Sequence, residues 1–179
     1  MKRVFFGLEP DAETCRGIAD WRDRQTSCDG QPVPAANFHI TLAFVGELHD
    51  AALERLSRAA DDWFAQGVAH GGNLTINDAG YWPRPGIFWL GPTHWPESLQ
   101  QLSQKLGLLA GAVGGKRDRR PFQPHITLYR RCRTAPTAPL QLPTFTLRYR
   151  HCTLFESRQG RQGVSYQALL DWPLELADD

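Results

Sequence analysis

The 179-residue sequence predicts an α+β fold, in which antiparallel sheets are each covered on one face by helices. Three observations lead to this prediction. Strand-like and helix-like patterns follow one another without the regular βαβ alternation that produces a parallel sheet. Two apolar segments around the turn at residues 83–86 indicate an antiparallel hairpin. The sequence His-Ile-Thr-Leu occurs twice in strand-like surroundings, at residues 39–42 and 125–128.

The first half of the chain alternates two predicted strands with two predicted helices. Residues 4–8 are a short apolar run of the kind that forms a buried strand. A helix is predicted from Asp11 to about Arg24, because acidic residues occupy its first turn. A polar loop over residues 27–37 leads to a strand at 38–45. The second helix begins near Asp50, and its apolar residues recur at helical spacing: Leu53, Leu56, Ala60 and Phe64.

The second half contains shorter strands around one further helix. The helix is predicted from Pro96 to about Val113, since leucines recur along it and Gly114-Gly115 follows it. Strands are predicted at residues 74–76, 80–82, 87–90, 125–129, 145–155 and 164–170. The alanine- and proline-rich stretch at 135–139 is interpreted as a loop, not a linker. Residues 1–179 are therefore interpreted as a single domain.

The composition is that of a soluble globular protein, with 41% hydrophobic and 22% charged residues. No apolar run is long enough to span a membrane, and the apolar N-terminal stretch is too short for a signal peptide. The four cysteines are scattered and lack zinc-binding spacing. Glycine-rich nucleotide-binding motifs are also absent from the sequence. We therefore expect a cytoplasmic protein with free thiols, no metal ion or other cofactor, and no contact with a membrane.

The net charge of +1 is distributed unevenly along the chain. Residues 1–115 carry 9 basic and 13 acidic side chains, whereas residues 116–161 carry 11 basic and 2 acidic ones. Ten of those eleven basic residues are arginine, whose planar fork suits hydrogen bonding to phosphate. The segment indicates either a local site for a polyanion or a solubilising surface, and charge alone favours neither.

The repeated motif places the same side chains on the same face of two predicted strands. Because side chains alternate along a strand, the histidine and threonine of each copy share one face. These polar pairs are His39 with Thr41 and His125 with Thr127. The opposite face is apolar, with Ile40, Leu42 and Phe44 in the first copy and Ile126 and Leu128 in the second. Two such strands, one per lobe, can bring two imidazoles to face each other across a groove.

Two facing imidazoles suit the in-line opening of a cyclic phosphate ester. A base must take a proton from the attacking water, while an acid protonates the departing sugar oxygen. Histidine can supply both forms near neutral pH. Threonine hydroxyls can donate hydrogen bonds to the nonbridging oxygens of the phosphate. An arginine would add positive charge there, and Arg130 and Arg131 follow the second motif directly. A zinc site from His39 and His125 is the alternative, although the sequence suggests no third or fourth ligand.

With their surroundings, these residues resemble the two-histidine phosphoesterase superfamily, whose signature is two H-x-T-x motifs, each on a strand. Within it, the chain is similar to the bacterial and archaeal RNA 2′,3′-cyclic phosphodiesterases, also called 2′-5′ RNA ligases. The similarity covers nearly the whole chain. It includes residues 4–6, 38–46, 124–128, 154–158, Tyr166 and 172–174.

The resemblance implies a bilobal, pseudo-twofold α+β fold with the active site in a groove between the lobes. It implies that His39 is the proton donor and His125 the proton acceptor, while phosphate is held by Thr41, Thr127 and Arg130. Water would attack phosphorus, the 3′-oxygen would leave, and the product would carry a 2′-phosphate without help from a metal. RNA ends would also be joined through a 2′-5′ linkage. The expected partner is RNA with a 2′,3′-cyclic phosphate end, tRNA fragments being one candidate, and we expect a monomer.

Two other functions stay open at this point. One is a non-catalytic RNA- or nucleotide-binding module on the same fold, although such a module would not need both histidines. The other is a phosphodiesterase for small cyclic nucleotides. Five aromatic residues are interpreted as stacking surfaces for a base or simply as core: Phe5, Phe38, Trp82, Trp89 and Tyr129. The basic run at residues 116–120 is either a contact for backbone phosphates or a solvated loop.

Overall fold

A computed structural model describes residues 1–176, and across them three helices pack against one large and one small antiparallel sheet. The strands are β1 (Lys2–Leu8), β2 (Gln31–Pro32), β3 (Ile40–Leu48), β4 (Gly72–Ile76), β5 (Asp78–Trp82), β6 (Ile87–Gly91), β7 (Ile126–Arg130), β8 (Phe145–Tyr149), β9 (His151–Gly160) and β10 (Gly163–Pro173). The helices are α1 (Ala12–Gln25), α2 (Asp50–Phe64) and α3 (Glu97–Ala112), and a 3₁₀ turn covers Ala35–Asn37. The predicted α+β fold with antiparallel sheets and flanking helices is confirmed.

The large sheet has the strand order β10-β9-β1-β3-β7-β6-β5, with β2 also paired to β7. Strands β4 and β8 form the small sheet. Strands β3 and β7, which follow the two histidines, are neighbours at the middle of the large sheet and pair through Ile40 and Ile126. The motif strands lie side by side and meet through this one residue pair, with β10, β9 and β1 on the side of β3 and β2, β6 and β5 on the side of β7.

Helix α1 begins at a capped end and ties two parts of the molecule together. The Asp11 carboxylate accepts a hydrogen bond from the Thr14 backbone N–H at 2.7 Å, which stabilises the first turn. Arg22 is buried, and its guanidinium donates to the carbonyl oxygens of Val33 and Leu128. The helix thus links the segment before the first histidine to strand β7.

Helices α2 and α3 support β3, the strand that follows His39. Their buried stripes consist of Leu56, Ala60 and Phe64 in α2 and Leu99, Leu102, Leu106 and Ala110 in α3. The Ser103 hydroxyl of α3 donates to the Leu42 carbonyl at 2.6 Å. Trp172 of β10 donates to the Asp61 carboxylate of α2 at 2.7 Å. The first of these bonds joins α3 to β3, and the second joins α2 to β10 at the edge of the same sheet. No helix within residues 1–176 has the length and hydropathy needed to cross a membrane.

Several details of the strands differ from the prediction. Both histidines lie immediately before their strands instead of within them. Phe44 was expected on the buried face, but it is 50% exposed, because the register between β1 and β3 shifts twice and Val45 is buried in its place. The strand predicted at 145–155 is two strands, β8 and β9, which belong to different sheets. The predicted hairpin is confirmed as β5–β6, whereas β4 pairs with β8.

Candidate active site

The two His-Ile-Thr motifs meet across one antiparallel pair of residues, Ile40 and Ile126. Since each isoleucine is the middle residue of its motif, a local twofold relation at this pair exchanges one motif with the other. In antiparallel strands, the residues that flank such a pair are related crosswise. His39 therefore lies toward Thr127, and His125 lies toward Thr41. The sheet itself brings both imidazoles and both hydroxyls to one place.

The hydrogen bonds of His39 fix the orientation of its ring. Nδ1 lies 2.8 Å from the carbonyl oxygen of Asn37, and Nε2 lies 3.0 Å from Oγ1 of Thr41. A carbonyl oxygen only accepts, so in the neutral ring Nδ1 carries the proton and Nε2 accepts from the threonine hydroxyl. Asn37 ends the 3₁₀ turn, and its side-chain amide donates to the Val164 carbonyl at 2.8 Å. The turn thus orients the His39 ring so that Nε2 faces Thr41.

Aromatic rings surround His39. The ring centroids of Phe5 and Tyr166 lie 4.9 Å and 4.8 Å from its own, and that of Phe155 lies 6.5 Å away. Burial among these rings, together with the positive charges of Arg130 and His125 and against the hydrogen bond to the Asn37 carbonyl, lowers the pKa of His39 to about 4. In the unliganded protein, His39 is therefore neutral at pH 7.

His125 repeats this arrangement with different neighbours. Its Nδ1 lies 2.8 Å from the Gln123 carbonyl oxygen, so Nε2 again carries the lone pair. The rings of Trp82 and Trp89 lie 4.7 Å and 6.3 Å away. Burial lowers the pKa of His125, the charges of Arg130 and Arg120 act in the same direction, and the bond to Gln123 opposes them. No residue within 1–176 forms a hydrogen bond with Nε2 of His125.

Arg130 connects the two histidines electrostatically. It lies at the end of β7, is exposed, and lowers the pKa of both His39 and His125. Its guanidinium forms no ion pair with any residue that the structure describes. Thr41 and Thr127 are half-buried beside the histidines. The structure therefore brings the five residues singled out in the sequence to one region of the sheet.

The basic run at residues 116–120 is an exposed loop on the side of His125. The Lys116 backbone N–H donates to the Val45 carbonyl at 2.8 Å, which attaches the start of the loop to β3. The Arg120 guanidinium binds the Asp118 carboxylate through Nε and Nη2. The charge of Arg120 also lowers the pKa of His125, so this loop lies beside the second histidine.

The five aromatic residues considered as stacking surfaces divide into two groups. Phe5 packs on His39, and Trp82 and Trp89 pack on His125. Phe38 and Tyr129 are buried against the guanidinium of Arg22, at 5.6 Å and 5.5 Å from its central carbon, and belong to the core.

Sequence reasoning gave no role to Tyr166 or Phe155, which help to enclose His39, nor to the buried Arg22. The family resemblance covers both rings but does not place either beside His39, because strands β9 and β10 reach this histidine only through the sheet. A signal for Arg22 does exist, since it lies four residues after the buried Ile18 on the same helix face.

For the zinc alternative, the described part of the chain offers no third ligand beside the two histidines. No group of three or more histidine, cysteine, aspartate or glutamate side chains comes together in a geometry that could hold a metal ion within residues 1–176. Within that part of the chain, the pairing of the two imidazoles suits acid–base chemistry.

Comparison with known proteins identifies relatives of this arrangement. The family model of the 2′-5′ RNA ligase superfamily matches residues 10–159. The RNA 2′,3′-cyclic phosphodiesterase of Escherichia coli (strain K12) is 35% identical over 174 residues, which cover 97% of this chain and 97% of the relative. The crystal structure of E. coli LigT complexed with 3′-AMP matches with a TM-score of 0.87 and 34% identity, over 97% of this chain and 98% of that one.

A more distant relative extends the comparison beyond bacteria. The RNA 2′,3′-cyclic phosphodiesterase of Methanothermobacter thermautotrophicus is 27% identical over 133 residues, which cover 72% of this chain and 70% of the relative. The family predicted from the sequence is thereby confirmed: the chain belongs to the 2′-5′ RNA ligase superfamily.

Proposed function

We propose that this protein opens 2′,3′-cyclic phosphates at RNA ends by acid–base catalysis with its two histidines. The observation that carries the proposal is the pairing of Ile40 with Ile126, which joins two identical motifs around a local twofold. A reaction at phosphorus needs one proton taken and one given on opposite sides. Two imidazoles related by a twofold, with an arginine beside both, suit that requirement.

In the proposed reaction, His39 is the acid and His125 is the base. Nε2 of His125 removes a proton from water while the water oxygen bonds to phosphorus. The bond between phosphorus and the 3′-oxygen breaks, and Nε2 of His39 protonates that oxygen. The product has a 2′-phosphate and a free 3′-hydroxyl. When the 5′-hydroxyl of a second RNA replaces water, the same steps give a 2′-5′ linkage.

Three residues are proposed to hold the phosphate. The hydroxyls of Thr41 and Thr127 donate to its nonbridging oxygens, and Arg130 supplies positive charge near both histidines. In the unliganded structure the Thr41 hydroxyl donates to His39. Once Nε2 of His39 is protonated it no longer accepts, so the hydroxyl becomes available to the phosphate.

The pKa of His39 has to rise before this histidine can act as an acid near neutral pH. Its pKa of about 4 leaves it neutral at pH 7 in the unliganded protein. A cyclic phosphate carries a negative charge, and an opposite charge within a few ångströms favours the protonated imidazole. Substrate binding is therefore proposed to raise the pKa of His39 and so to load the acid.

The direct experiment uses an RNA oligonucleotide with a 2′,3′-cyclic phosphate end, incubated with the protein in EDTA. We expect turnover in the chelator and a product that matches a 2′-phosphate standard, resolved from the 3′-phosphate by chromatography. Loss of turnover on chelation would overturn the metal-independent mechanism, and a 3′-phosphate product would overturn the choice of leaving oxygen.

A matched set of histidine variants assigns the activity to the site. His39→Ala and His125→Ala are each expected to lose about 10³-fold in kcat. His49→Ala is the control, because His49 is exposed and its side chain makes no capping hydrogen bond at the start of α2. Full activity in both site variants would show that the motifs are not the catalytic residues.

Other expectations from the sequence stay predictions. They are a single two-lobed domain over residues 1–179, a monomeric state, tRNA fragments as RNA substrates, and a cytoplasmic location. Continuity of the large sheet from β10 to β5 supports the first of these. Sedimentation of the purified protein tests the monomer.

A further inference from the structure

A cavity of about 420 Å³ lies beside the second motif, where strand β7 ends. It is lined by Asp29, Gly30, Gln31, Arg131 and Arg133. Gln31 pairs with Arg130 in the ladder between β2 and β7, so the cavity adjoins the arginine that acts on both histidines. Its volume falls in the range of sites for small molecules or parts of larger ones.

The side chains that line the cavity carry a net positive charge, because two arginines outweigh the single carboxylate of Asp29, whose oxygens accept hydrogen bonds from its neighbours. Neither Arg131 nor Arg133 forms an ion pair with any described residue. Asp29 accepts from the backbone N–H groups of Arg133 and Thr134 and from the Thr134 hydroxyl. These bonds hold the pKa of Asp29 below its usual range. Two guanidinium groups are thus free to bind an anion.

The backbone at Arg131 is held in a conformation that an arginine rarely adopts. Its φ is 58°, in the left-handed region that normally favours glycine or asparagine. Close packing on both sides keeps it there: a Cβ on Gly30 would lie 2.5 Å from the Arg130 carbonyl oxygen, and one on Gly86 would lie 2.5 Å from that of Cys132. A strained non-glycine residue that its surroundings hold in place points to a functional role.

The structure assigns this cavity as a second phosphate subsite, which binds the internucleotide phosphodiester next to the reacting end of an RNA. The inference rests on the proposed function, because the cyclic phosphate must sit at the two histidines. Arg130 and Arg131 are adjacent, with Cα atoms about 3.8 Å apart. One guanidinium can therefore serve the reacting phosphate while the next serves its neighbour along the strand.

A subsite of this kind makes the protein prefer oligonucleotides to mononucleotides. A nucleoside 2′,3′-cyclic monophosphate has only the reacting phosphate and leaves the cavity empty. A dinucleotide with a cyclic phosphate end adds one phosphodiester, which arginine can bind with charge-assisted hydrogen bonds. We expect kcat/KM to be about tenfold higher for the dinucleotide.

The test compares three substrates: the cyclic mononucleotide, the dinucleotide with a phosphodiester, and the same dinucleotide with a neutral methylphosphonate linkage. The wild type should prefer the phosphodiester over the methylphosphonate about tenfold, since the bases are identical. Arg131→Gln/Arg133→Gln should remove that preference and leave mononucleotide turnover unchanged. Arg16→Gln/Arg55→Gln is the control, because it removes two exposed arginines from the helices.

A second variant separates charge from backbone structure. Arg131→Gly removes the guanidinium and suits the left-handed backbone, so its thermal midpoint should stay close to that of the wild type while the preference falls. Equal turnover of the two dinucleotides by the wild type would overturn the subsite. So would an unchanged preference in the double glutamine variant.

Failure of the proposed function has a different signature, which is the absence of turnover with all three substrates. The subsite is then tested by the binding of the two dinucleotides as their 3′-phosphates, measured by calorimetry. Tighter binding of the phosphodiester, lost in the double glutamine variant, supports the subsite, whereas equal binding overturns it.

Discussion

The two motifs have the same sequence and are joined by a local twofold, yet their histidines are not equivalent. His39 is enclosed by Phe5, Tyr166 and Phe155, and its pKa falls to about 4. Around His125, the neighbours are two tryptophans and a basic loop. Nε2 of His39 accepts a hydrogen bond from the Thr41 hydroxyl, whereas Nε2 of His125 has no hydrogen-bond partner within residues 1–176.

This difference shows that residues outside a motif decide what the motif does. Within each copy the local geometry is the same, since Nδ1 donates to the carbonyl two residues earlier in both cases. The two histidines differ because the aromatic residues around His39 come from β1, β9 and β10, whereas those around His125 come from β5 and β6. A symmetric pair of strands thus carries two unequal histidines, as the proposed reaction, with its distinct attacking and leaving groups, requires.

The largest expected effect separates the acid from the base by changing the leaving group. In a substrate with sulfur in place of the 3′-oxygen, the thiolate leaves without protonation. His39→Ala should then lose about tenfold or less instead of about 10³-fold, because the missing acid is no longer needed. His125→Ala should lose about 10³-fold with both substrates. Single-turnover rates with matched oxygen and sulfur substrates measure this, and rescue of His125→Ala instead would reverse the two roles.

The second effect is a displacement between two pH profiles. Both histidines have a lowered pKa in the free protein, and kcat/KM reports the free protein. Since one histidine must be protonated, kcat/KM should fall about tenfold per pH unit above a limb that lies below pH 6.5. The bound anion raises both pKa values, so the limb of kcat should lie at higher pH. Identical profiles for kcat and kcat/KM would show that the substrate does not load the acid.

A third, smaller effect distinguishes the two threonines. Thr41→Val and Thr127→Val each remove one proposed donor to the phosphate and should lower kcat about tenfold or somewhat more. Only Thr41 also donates to a histidine, and that bond favours the neutral ring. Thr41→Val should therefore raise the pKa of His39, while Thr127→Val should leave it unchanged. Titration of the ring protons by NMR compares the two, and equal shifts would mean that the bond does not persist in solution.

The sequence predicted the fold class and the candidate site residues because both depend on local patterns. Each helix carried its apolar residues at helical spacing, and the repeat marked the two strands that meet. The pairing of β3 with β7 was not predictable, since register across a sheet is set by contacts far apart in the chain. The exposure of Phe44 was not predictable either, because register shifts between β1 and β3 turn its side chain outward. Tyr166 and the cavity at Arg131 likewise depend on which loops and strands become neighbours.

The smallest expected effect is on stability, and it again sets His39 apart. Its pKa is about 4 when folded and near 6.5 when unfolded, so the unfolded chain binds its proton first as the pH falls. The stability that this histidine contributes is present above pH 6.5 and is lost as the pH falls toward 4. The loss should be about 3 kcal/mol, or several degrees in the unfolding midpoint. In His39→Gln the midpoint should fall less steeply over that range, while His49→Gln, at an exposed position, should follow the wild type. Parallel curves for all three proteins, measured by thermal denaturation at pH 4 to 7, would show that His39 titrates normally and that its aromatic neighbours do not exclude water.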